Sequence, residues 1–297
     1  MLDCKASGWP ILYLGLPLGG NPKASGFWDP VIERISRRLD GWQKAYLSFG
    51  GRITLIQSCL THMPCYFLSL FKIPASVAAK IERMQREFLW SGIGEGKRDH
   101  LVNWDVVCKP KSRGGLGFGK ISMRNVALLG KWLWRYPREG SALWHQVILS
   151  IYGSHSNGWN VNNNVRWSHR CPWKALHLSS KSFPSLLEDL ESLMRSLDRL
   201  HISPSVPDKR SWSISPSGLF TVKSFFLALS QYSESPPVFP TKFVWNSQVP
   251  FKVKSFVWLV AHKKLNTNDL LQLRRPHKAL SPNIFSKDGL GFPKEHL

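Results

Sequence analysis

The feature that most constrains this chain is a helical spacing of apolar residues that begins directly after a proline. Pro74 is followed by Val77, Ile81, Met84 and Phe88, which share one face of a helix with 3.6 residues per turn. Proline suits the first turn of a helix, because its missing N–H would have no partner there. The pattern therefore predicts an amphipathic helix with a buried face.

Similar patterns predict helices along most of the chain. Asp29-Pro30 combines an N-cap residue with a proline in the first turn, and apolar residues follow it at helical spacing. Further helices are predicted at about 53–60, 126–133, 186–200, 222–229 and 252–259. Residues 101–119 are rich in glycine and basic residues, which predicts a loop folded over a core, and the Asn- and Ser-rich residues 153–172 predict an exposed loop.

Two short segments predict β structure. Residues 11–20 form an extended apolar run that ends in glycines, which is typical of a strand. Residues 212–214 and 219–221 alternate in polarity around Ser215-Pro216-Ser217-Gly218, which predicts a hairpin. The predicted fold class is therefore mainly α with a small β-hairpin (α+β): a helical region followed by a second small α+β module.

The charge of the chain is strongly positive and evenly distributed. Forty Lys and Arg residues against 19 Asp and Glu residues give a net charge of +21. The first 150 residues hold 21 basic and 10 acidic residues, and the remainder hold 19 and 9. Solubility alone asks for a net charge of roughly 2–8 in a small domain. The excess favours a polyanionic partner, RNA or DNA, over the alternative of ordinary surface charge.

Cysteine usage and the N-terminal sequence indicate an intracellular protein. The five cysteines, Cys4, Cys59, Cys65, Cys108 and Cys171, are odd in number and include no C-x-x-C. We therefore expect reduced thiols, no disulfide framework and no zinc knuckle. The N-terminus lacks a signal peptide, and no apolar run is long enough to span a membrane. These features predict a nuclear or cytoplasmic protein that is not secreted.

Candidate catalytic chemistry is hard to find in this sequence. Nucleotidyl transfer needs clustered carboxylates that hold two divalent metals, yet no Asp-Asp pair occurs anywhere in the chain. The densest acidic group, at 188–191, lies in the first turns of a predicted helix, where acids favour the helix dipole. We accordingly predict no catalytic, cofactor-binding or metal-binding residues.

Several ordered motifs resemble one known family. They are residues 13–19 (YLGLPLG), 47–56 (LSFGGRITLI), 88–92 (FLWSG), 114–118 (GGLGF), 127–135 (ALLGKWLWR), 212–223, 245–258, 267–271 (TNDLL) and 274–276 (RRP). Together they resemble plant LINE-type (non-LTR) retrotransposon reverse transcriptases, over roughly residues 11–283. The resemblance implies a part of the polyprotein that follows the catalytic palm and continues into the reverse-transcriptase zinc-binding domain.

The resemblance also suggests a division of the chain into three parts. Residues 1–92 correspond to a helical, thumb-like region after the palm. Residues 93–175 form a linker with a Trp-rich helix and a polar loop, and residues 176–297 form a truncated zinc-binding-like module. The family's catalytic Asp-Asp lies upstream of the Gly-Leu-Pro segment and is absent here, as are the family's zinc ligands and ribonuclease H domain.

Two functions remain open at this point. The first is a non-catalytic fragment or remnant of the reverse transcriptase that binds RNA or DNA without sequence preference, through phosphate contacts. The second is a pseudogene product or protein-interaction scaffold with no selected activity. The candidate phosphate contacts are Lys109, Lys111, Arg113, Arg166, Arg170, Lys252, Lys254, Lys263, Lys264, Arg274 and Arg275.

Overall fold

A computed structural model describes residues 11–43, 47–91, 100–153, 212, 214–231 and 239–264. Within them the chain is mainly helical with a small two-stranded sheet, which confirms the predicted fold class. The α-helices, numbered in chain order, are α1 (Asp29–Gln43), α2 (Phe49–Leu55), α3 (Cys65–Leu68), α4 (Ala75–Leu89), α5 (Trp104–Cys108), α6 (Ile121–Arg135), α7 (Leu143–Tyr152), α8 (Val222–Gln231), α9 (Thr241–Trp245) and α10 (Phe251–Ala261). Short 3-10 turns lie at Ser25–Trp28, Lys111–Arg113 and Tyr136–Arg138, and a π-helical turn at Ile56–Leu60.

The small sheet lies at the start of the described chain. Strands β1 (Ile11–Tyr13) and β2 (Leu16–Leu18) pair antiparallel, with Tyr13 opposite Leu16. The two residues between the strands both have positive φ, 50° at Leu14 and 78° at Gly15. Turns of that handedness match the twist of paired strands. The strand prediction for this segment is therefore confirmed, in the form of a complete hairpin.

The hairpin predicted at 212–221 is wrong for the residues that the structure describes there. The amide of Trp212 donates to the carbonyl of Gly218 at 2.9 Å, which closes a turn, but no strand ladder follows it. The hydroxyl of Thr221 accepts a hydrogen bond from the amide of Ser224 and caps α8. The helix begins at Val222, so residues 219–221 lead into the helix and do not form a second strand.

The long helices follow the predicted apolar stripes. In α1, Val31, Ile35 and Leu39 are buried while the arginines between them are exposed. In α4, Ile81 and Phe88 are buried on the face that begins after Pro74. Tertiary packing of such a face supplies most of the stability of a helix in a protein. The helical spacing was thus a sufficient guide to these two elements.

The segment at 101–119 folds over the core as predicted, but it also contains a helix that was not predicted. The side chain of Asn103 accepts a hydrogen bond from the amide of Asp105 at 2.8 Å, and this caps α5. Trp104 and Val107 of α5 are buried, as is Leu116 in the glycine-rich stretch that follows. Five residues are too few to display a helical period, so the sequence pattern did not reveal this helix.

Helices from distant parts of the sequence share one core. The largest buried cluster runs from Leu16 to Ile121 and also includes Val244, Trp258 and Leu259. Helix α10 packs against α2, and α8 packs against α6. The described part of residues 212–264 therefore packs directly on the helices formed by residues 29–135.

Two glycines allow α8 to approach closely. A Cβ atom on Gly130 would lie 2.5 Å from Cε1 of Phe225, and one on Gly119 would lie 2.3 Å from Cζ of Phe226. Separations below 3 Å are not tolerated by packed carbon atoms. The absence of a side chain at both positions lets two neighbouring phenylalanines of α8 pack onto α6 and the segment before it.

Some predictions fall on residues outside the described ranges. The predicted helix at 186–200 and almost all of the predicted polar loop at 153–172 belong here. The proposed boundaries after residues 92 and 175 also lie there. The division of the chain into three parts stays a prediction.

Candidate nucleic-acid interface

Seven of the predicted phosphate-contacting residues lie in the described chain, on two elements. Lys109, Lys111 and Arg113 lie in and just before the 3-10 turn after α5, whereas Lys252, Lys254, Lys263 and Lys264 lie on α10 and directly after it. The other four, Arg166, Arg170, Arg274 and Arg275, lie outside the described residues.

Backbone hydrogen bonds hold the turn that carries Lys109 and Lys111. The carbonyl of Lys109 accepts from the amide of Gly117 at 2.8 Å, and the carbonyl of Pro110 accepts from Gly115 at 3.1 Å. The amide of Leu116 donates to the carbonyl of Val107 at the end of α5. The basic residues of this segment are therefore presented by a closed turn anchored to a buried helix.

Helix α9 and the start of α10 bring Lys254 next to Lys111. The ammonium group of Lys254 donates to the carbonyl of Trp245 at 3.0 Å. The ammonium group of Lys111 lies 5.0 Å from the ring centroid of Trp245 and 5.4 Å from that of Phe251. The two rings stack at an interplanar angle of 25°. We call Lys111, Lys254, Trp245 and Phe251 the lysine–aromatic cluster.

The cluster holds two positive charges close together. Burial lowers the pKa of Lys111 below its usual value, and the positive charge of Lys254 lowers it further. The ion pairs between described residues join Arg83 to Glu87, Lys120 to Glu82 and Asp105, and Arg135 to Glu139. None of these acids pairs with either lysine of the cluster. An anionic group bound there would relieve the repulsion between them.

The remaining predicted residues on α10 are spread along the helix. Lys252 is exposed in the first turn, and Lys263 and Lys264 are exposed just beyond the last. Eleven residues of α-helix span about 16 Å, so the last two lie far from the cluster. Lys242 on α9 was not predicted, yet it is exposed on the helix that also carries Trp245. It is a lone lysine between Thr241 and Phe243, and this sequence context did not indicate a binding role.

The cysteines of the described chain are free thiols. Cys108 is buried, whereas Cys59 and Cys65 are half-buried. Burial raises the pKa of the Cys108 thiol far above its ordinary value, and the nearby Glu82 carboxylate raises it further. A thiol held in its neutral form is a poor nucleophile and a poor metal ligand. Cys108 therefore belongs to the packing of the core.

The described ranges contain neither a cluster of metal-binding side chains nor a membrane-spanning helix. Within 11–43, 47–91, 100–153, 214–231 and 239–264, no three His, Cys, Asp or Glu side chains are grouped so that they could hold a metal ion. No helix of that part of the chain is long and apolar enough to cross a membrane.

Comparison with known protein families places the chain in a general class. Residues 220–286 match the zinc-binding domain of reverse transcriptases. This match includes α8, α9 and α10, and thus the residues that carry Lys254, Trp245 and Phe251. The match and the relatives described next support a reverse-transcriptase-related protein derived from a retroelement.

Two proteins of Arabidopsis thaliana are similar to this chain. A protein named as a candidate ribonuclease H protein is 29% identical over an alignment of 301 positions. The alignment covers 80% of this chain and 48% of that protein. A mitochondrial protein is 29% identical over 115 residues, covering 38% of this chain and 73% of its own length. The chain thus spans about half the length of the first relative. No solved structure matches it.

The residues in the matched segment do not fit a zinc site of the usual kind. Structural zinc is held by four cysteine thiolates or histidine imidazoles. Residues 220–286 contain no cysteine, and their histidines are His262 and His277. Nε2 of His262 lies 2.8 Å from the carbonyl of Gly114, and the ring stacks on Phe239, so this side chain is engaged in packing. The matched segment therefore contains these helices, but it contains no cysteine that could bind zinc.

Proposed function

We propose that this chain is a non-catalytic, nucleic-acid-binding part of a reverse transcriptase from a plant LINE-type retrotransposon. The observation that carries the proposal is the pair of lysines in the lysine–aromatic cluster, with which no acid of the described residues forms an ion pair. A phosphate of RNA or DNA is the polyanion that such a pair would bind, because each contact releases condensed counterions.

The geometry of the cluster favours contacts to the phosphate backbone over contacts to bases. Lys111 and Lys254 are oriented by Trp245, one through its ring and the other through its carbonyl. Lysine is a point charge without the planar fork that recognises a base edge. Binding through this surface is therefore expected to be strong at low salt and tolerant of sequence.

The absence of catalysis is proposed from the sequence. Reverse transcription requires a carboxylate cluster for two metal ions, and the chain contains no Asp-Asp pair. In the family this pair lies upstream of the segment that 13–19 resembles. The proposed role is thus to hold nucleic acid, while any chemistry is carried out elsewhere in the parent polyprotein.

The alternative function, a scaffold or inert remnant, is favoured by one surface. Helix α7 exposes Leu143, Val147 and Ile151, whose side chains are 77%, 47% and 48% accessible. Exposed apolar side chains along one helix are typical of a surface that packs against a neighbouring protein segment. A chain with this surface but without nucleic-acid binding would be best described as a protein-interaction scaffold.

Fluorescence anisotropy with several unrelated RNA and DNA oligonucleotides tests the proposal across a salt series. If about five to eight basic residues contact phosphates, affinity falls on the order of a hundredfold or more between 50 and 200 mM salt. The double substitution Lys111→Gln, Lys254→Gln removes two contacts and lowers the slope of log K against log salt by about 1.4–1.8.

The matched control removes two exposed charges elsewhere. Arg37 and Arg38 are both exposed on α1, so Arg37→Gln, Arg38→Gln changes net charge equally without touching the cluster. We expect its salt slope to stay close to that of the parent chain. Absence of binding at 50 mM salt, or equal effects of the two double variants, would overturn the proposal and leave the scaffold alternative.

A further inference from the structure

A cavity whose lining includes none of the residues of the lysine–aromatic cluster lies between several helices. It has a volume of about 820 Å³ and is bounded by α4, α5 and the end of α10. Small-molecule sites in proteins typically occupy roughly 300–1,000 Å³, so the cavity is large enough for a nucleotide. Its ionisable lining residues are Glu82, Arg83, Arg86, His100, Asp105, Lys120, His262 and Lys264. Of these, Arg83 pairs with Glu87.

Both carboxylates in the cavity wall are already engaged by the protein. Glu82 accepts hydrogen bonds from the indole N–H of Trp104 at 3.2 Å and from the amide of Ile121 at 2.9 Å. Asp105 forms an ion pair with Lys120, whose ammonium group also lies 3.8 Å from Glu82. The negative charge of the wall is therefore neutralised by hydrogen-bond donors and by one lysine.

Two cations of the wall have no such partner. Arg86 lies on α4 with its Nε buried and without a hydrogen-bond partner among the described residues. Lys264 is exposed just beyond α10, and no ion pair of the described chain includes it. A buried guanidinium N–H without a partner is energetically costly, and an anionic oxygen is its best acceptor.

We infer that this cavity binds a phosphate group of a nucleic-acid strand, with the guanidinium of the lining residue Arg86 as the donor and Lys264 at the rim. The inference rests on the proposed function, since it supplies the same polyanion with a second contact point. It differs in kind from the lysine–aromatic cluster. The cluster is a pair of lysines, whereas the cavity has the planar guanidinium of Arg86 in a concave wall. Such a wall suits one phosphate and its attached nucleoside.

Isothermal titration calorimetry with adenosine 5′-monophosphate, and with adenosine as the uncharged comparison, tests the cavity directly. We expect the monophosphate to bind and adenosine not to bind detectably. Arg86→Gln should weaken monophosphate binding about tenfold or more, because it removes a charge-assisted hydrogen bond. Lys264→Gln, at an exposed position that packing does not constrain, should weaken it to a smaller extent.

Two further variants test whether the weaker binding of Arg86→Gln results from a general effect on folding or charge. Lys80→Gln removes an exposed charge from the same helix as Arg86 and should leave binding unchanged. Arg86→Lys keeps the charge and should restore part of the affinity. Equal binding of the monophosphate and adenosine, or equal effects of Arg86→Gln and Lys80→Gln, would overturn the cavity site.

An oligonucleotide measurement separates this inference from the proposed function. A labelled oligo(dA) should bind Arg86→Gln and the Lys111→Gln, Lys254→Gln variant more weakly than the parent chain. If only the second variant weakens binding, the cavity inference fails and the proposed function stands. If the parent chain does not bind the strand at all, the proposed function fails, and the monophosphate titration alone decides whether the cavity takes a phosphate.

Discussion

Glu82 connects three helices through its carboxylate group. It lies on α4, yet its two carboxylate oxygens accept from Trp104 of α5 and from the amide of Ile121, the first residue of α6. The amides at the start of a helix have no intrahelical partner, so a carboxylate there both caps the helix and complements its dipole. One side chain thus joins three consecutive helices.

Replacing Glu82 with alanine should destabilise the fold by about 2–4 kcal/mol, because it leaves a buried indole N–H and a helix-terminal amide without acceptors. Glu82→Gln should cost less, since the amide oxygen can still accept one of the two bonds. Urea unfolding monitored by tryptophan fluorescence measures both.

The control for this prediction is Glu87→Ala. Glu87 lies on the same helix and pairs with Arg83 at a largely exposed position. Such pairs contribute about 0–1 kcal/mol. If Glu82→Ala and Glu87→Ala lowered the free energy of unfolding equally, Glu82 would not be the connection described above.

At the scale of elements, the packing of α8 against α6 depends on glycine, which has no side chain, at position 130. Gly130 lies in the interior of α6, where glycine is ordinarily unfavourable by about 1 kcal/mol relative to alanine. The space that a Cβ atom would occupy is taken by the ring of Phe225. The helical cost of the glycine is offset by the packing of a large aromatic side chain.

The substitution Gly130→Ala should therefore destabilise the protein by about 1–3 kcal/mol, despite the better helix propensity of alanine. Gly41→Ala is the matched comparison, because Gly41 lies in α1 with no other atom within 4 Å of its Cβ position. There we expect stabilisation of about 0.5–1 kcal/mol. Thermal unfolding followed by circular dichroism gives both values.

A double-mutant cycle with Phe225→Ala tests whether the contact with this ring causes the destabilisation by Gly130→Ala. In a Phe225→Ala background the ring is gone, so Gly130→Ala should lose most of its cost and behave more like Gly41→Ala. If Gly130→Ala were equally destabilising with and without Phe225, the contact between α6 and α8 would not explain it.

Elements with a repeated apolar spacing were predictable, and those defined by a few residues were not. The stripes of α1 and α4 run over 15 residues each, long enough to show a helical period. Helix α5 has five residues and depends on the cap at Asn103. The false hairpin at 212–221 followed an alternation of residues that the N-cap at Thr221 overrides. The sequence around Gly119 and Gly130 did not indicate that Phe226 and Phe225 occupy the adjacent space.

At the scale of the whole molecule, the candidate site joins residues from distant positions in the sequence. Lys111 and Lys254 were each predicted as phosphate contacts from their charge and surroundings. Their meeting around Trp245 could not be predicted, because it follows from the packing of α9 against the turn at Lys111–Arg113. Arg86 was not singled out at all, since an arginine within an amphipathic helix is usually a solvated charge.

The helices in the zinc-binding match are held by the same core as the helices that precede them in the sequence. Trp258 of α10 is fully buried, and its indole N–H donates to the carbonyl of Gly114 at 2.8 Å. Its ring stacks on Phe49 of α2 at a centroid distance of 6.3 Å. A residue that packs on both segments couples their stabilities, so the two should unfold together.

Trp258→Ala should lower the free energy of unfolding by about 3–5 kcal/mol, because it leaves a large cavity in the core. Native-state hydrogen exchange should then show reduced protection in α2 and α4 as well as in α10. Phe256→Ala is the control on the same helix, since its side chain is 51% exposed, and it should change protection little. Loss of protection confined to α10 in the Trp258→Ala variant would show that α10 unfolds independently. Loss shared with α2 and α4 would show instead that the described helices of the zinc-binding match are stabilised by the preceding helices.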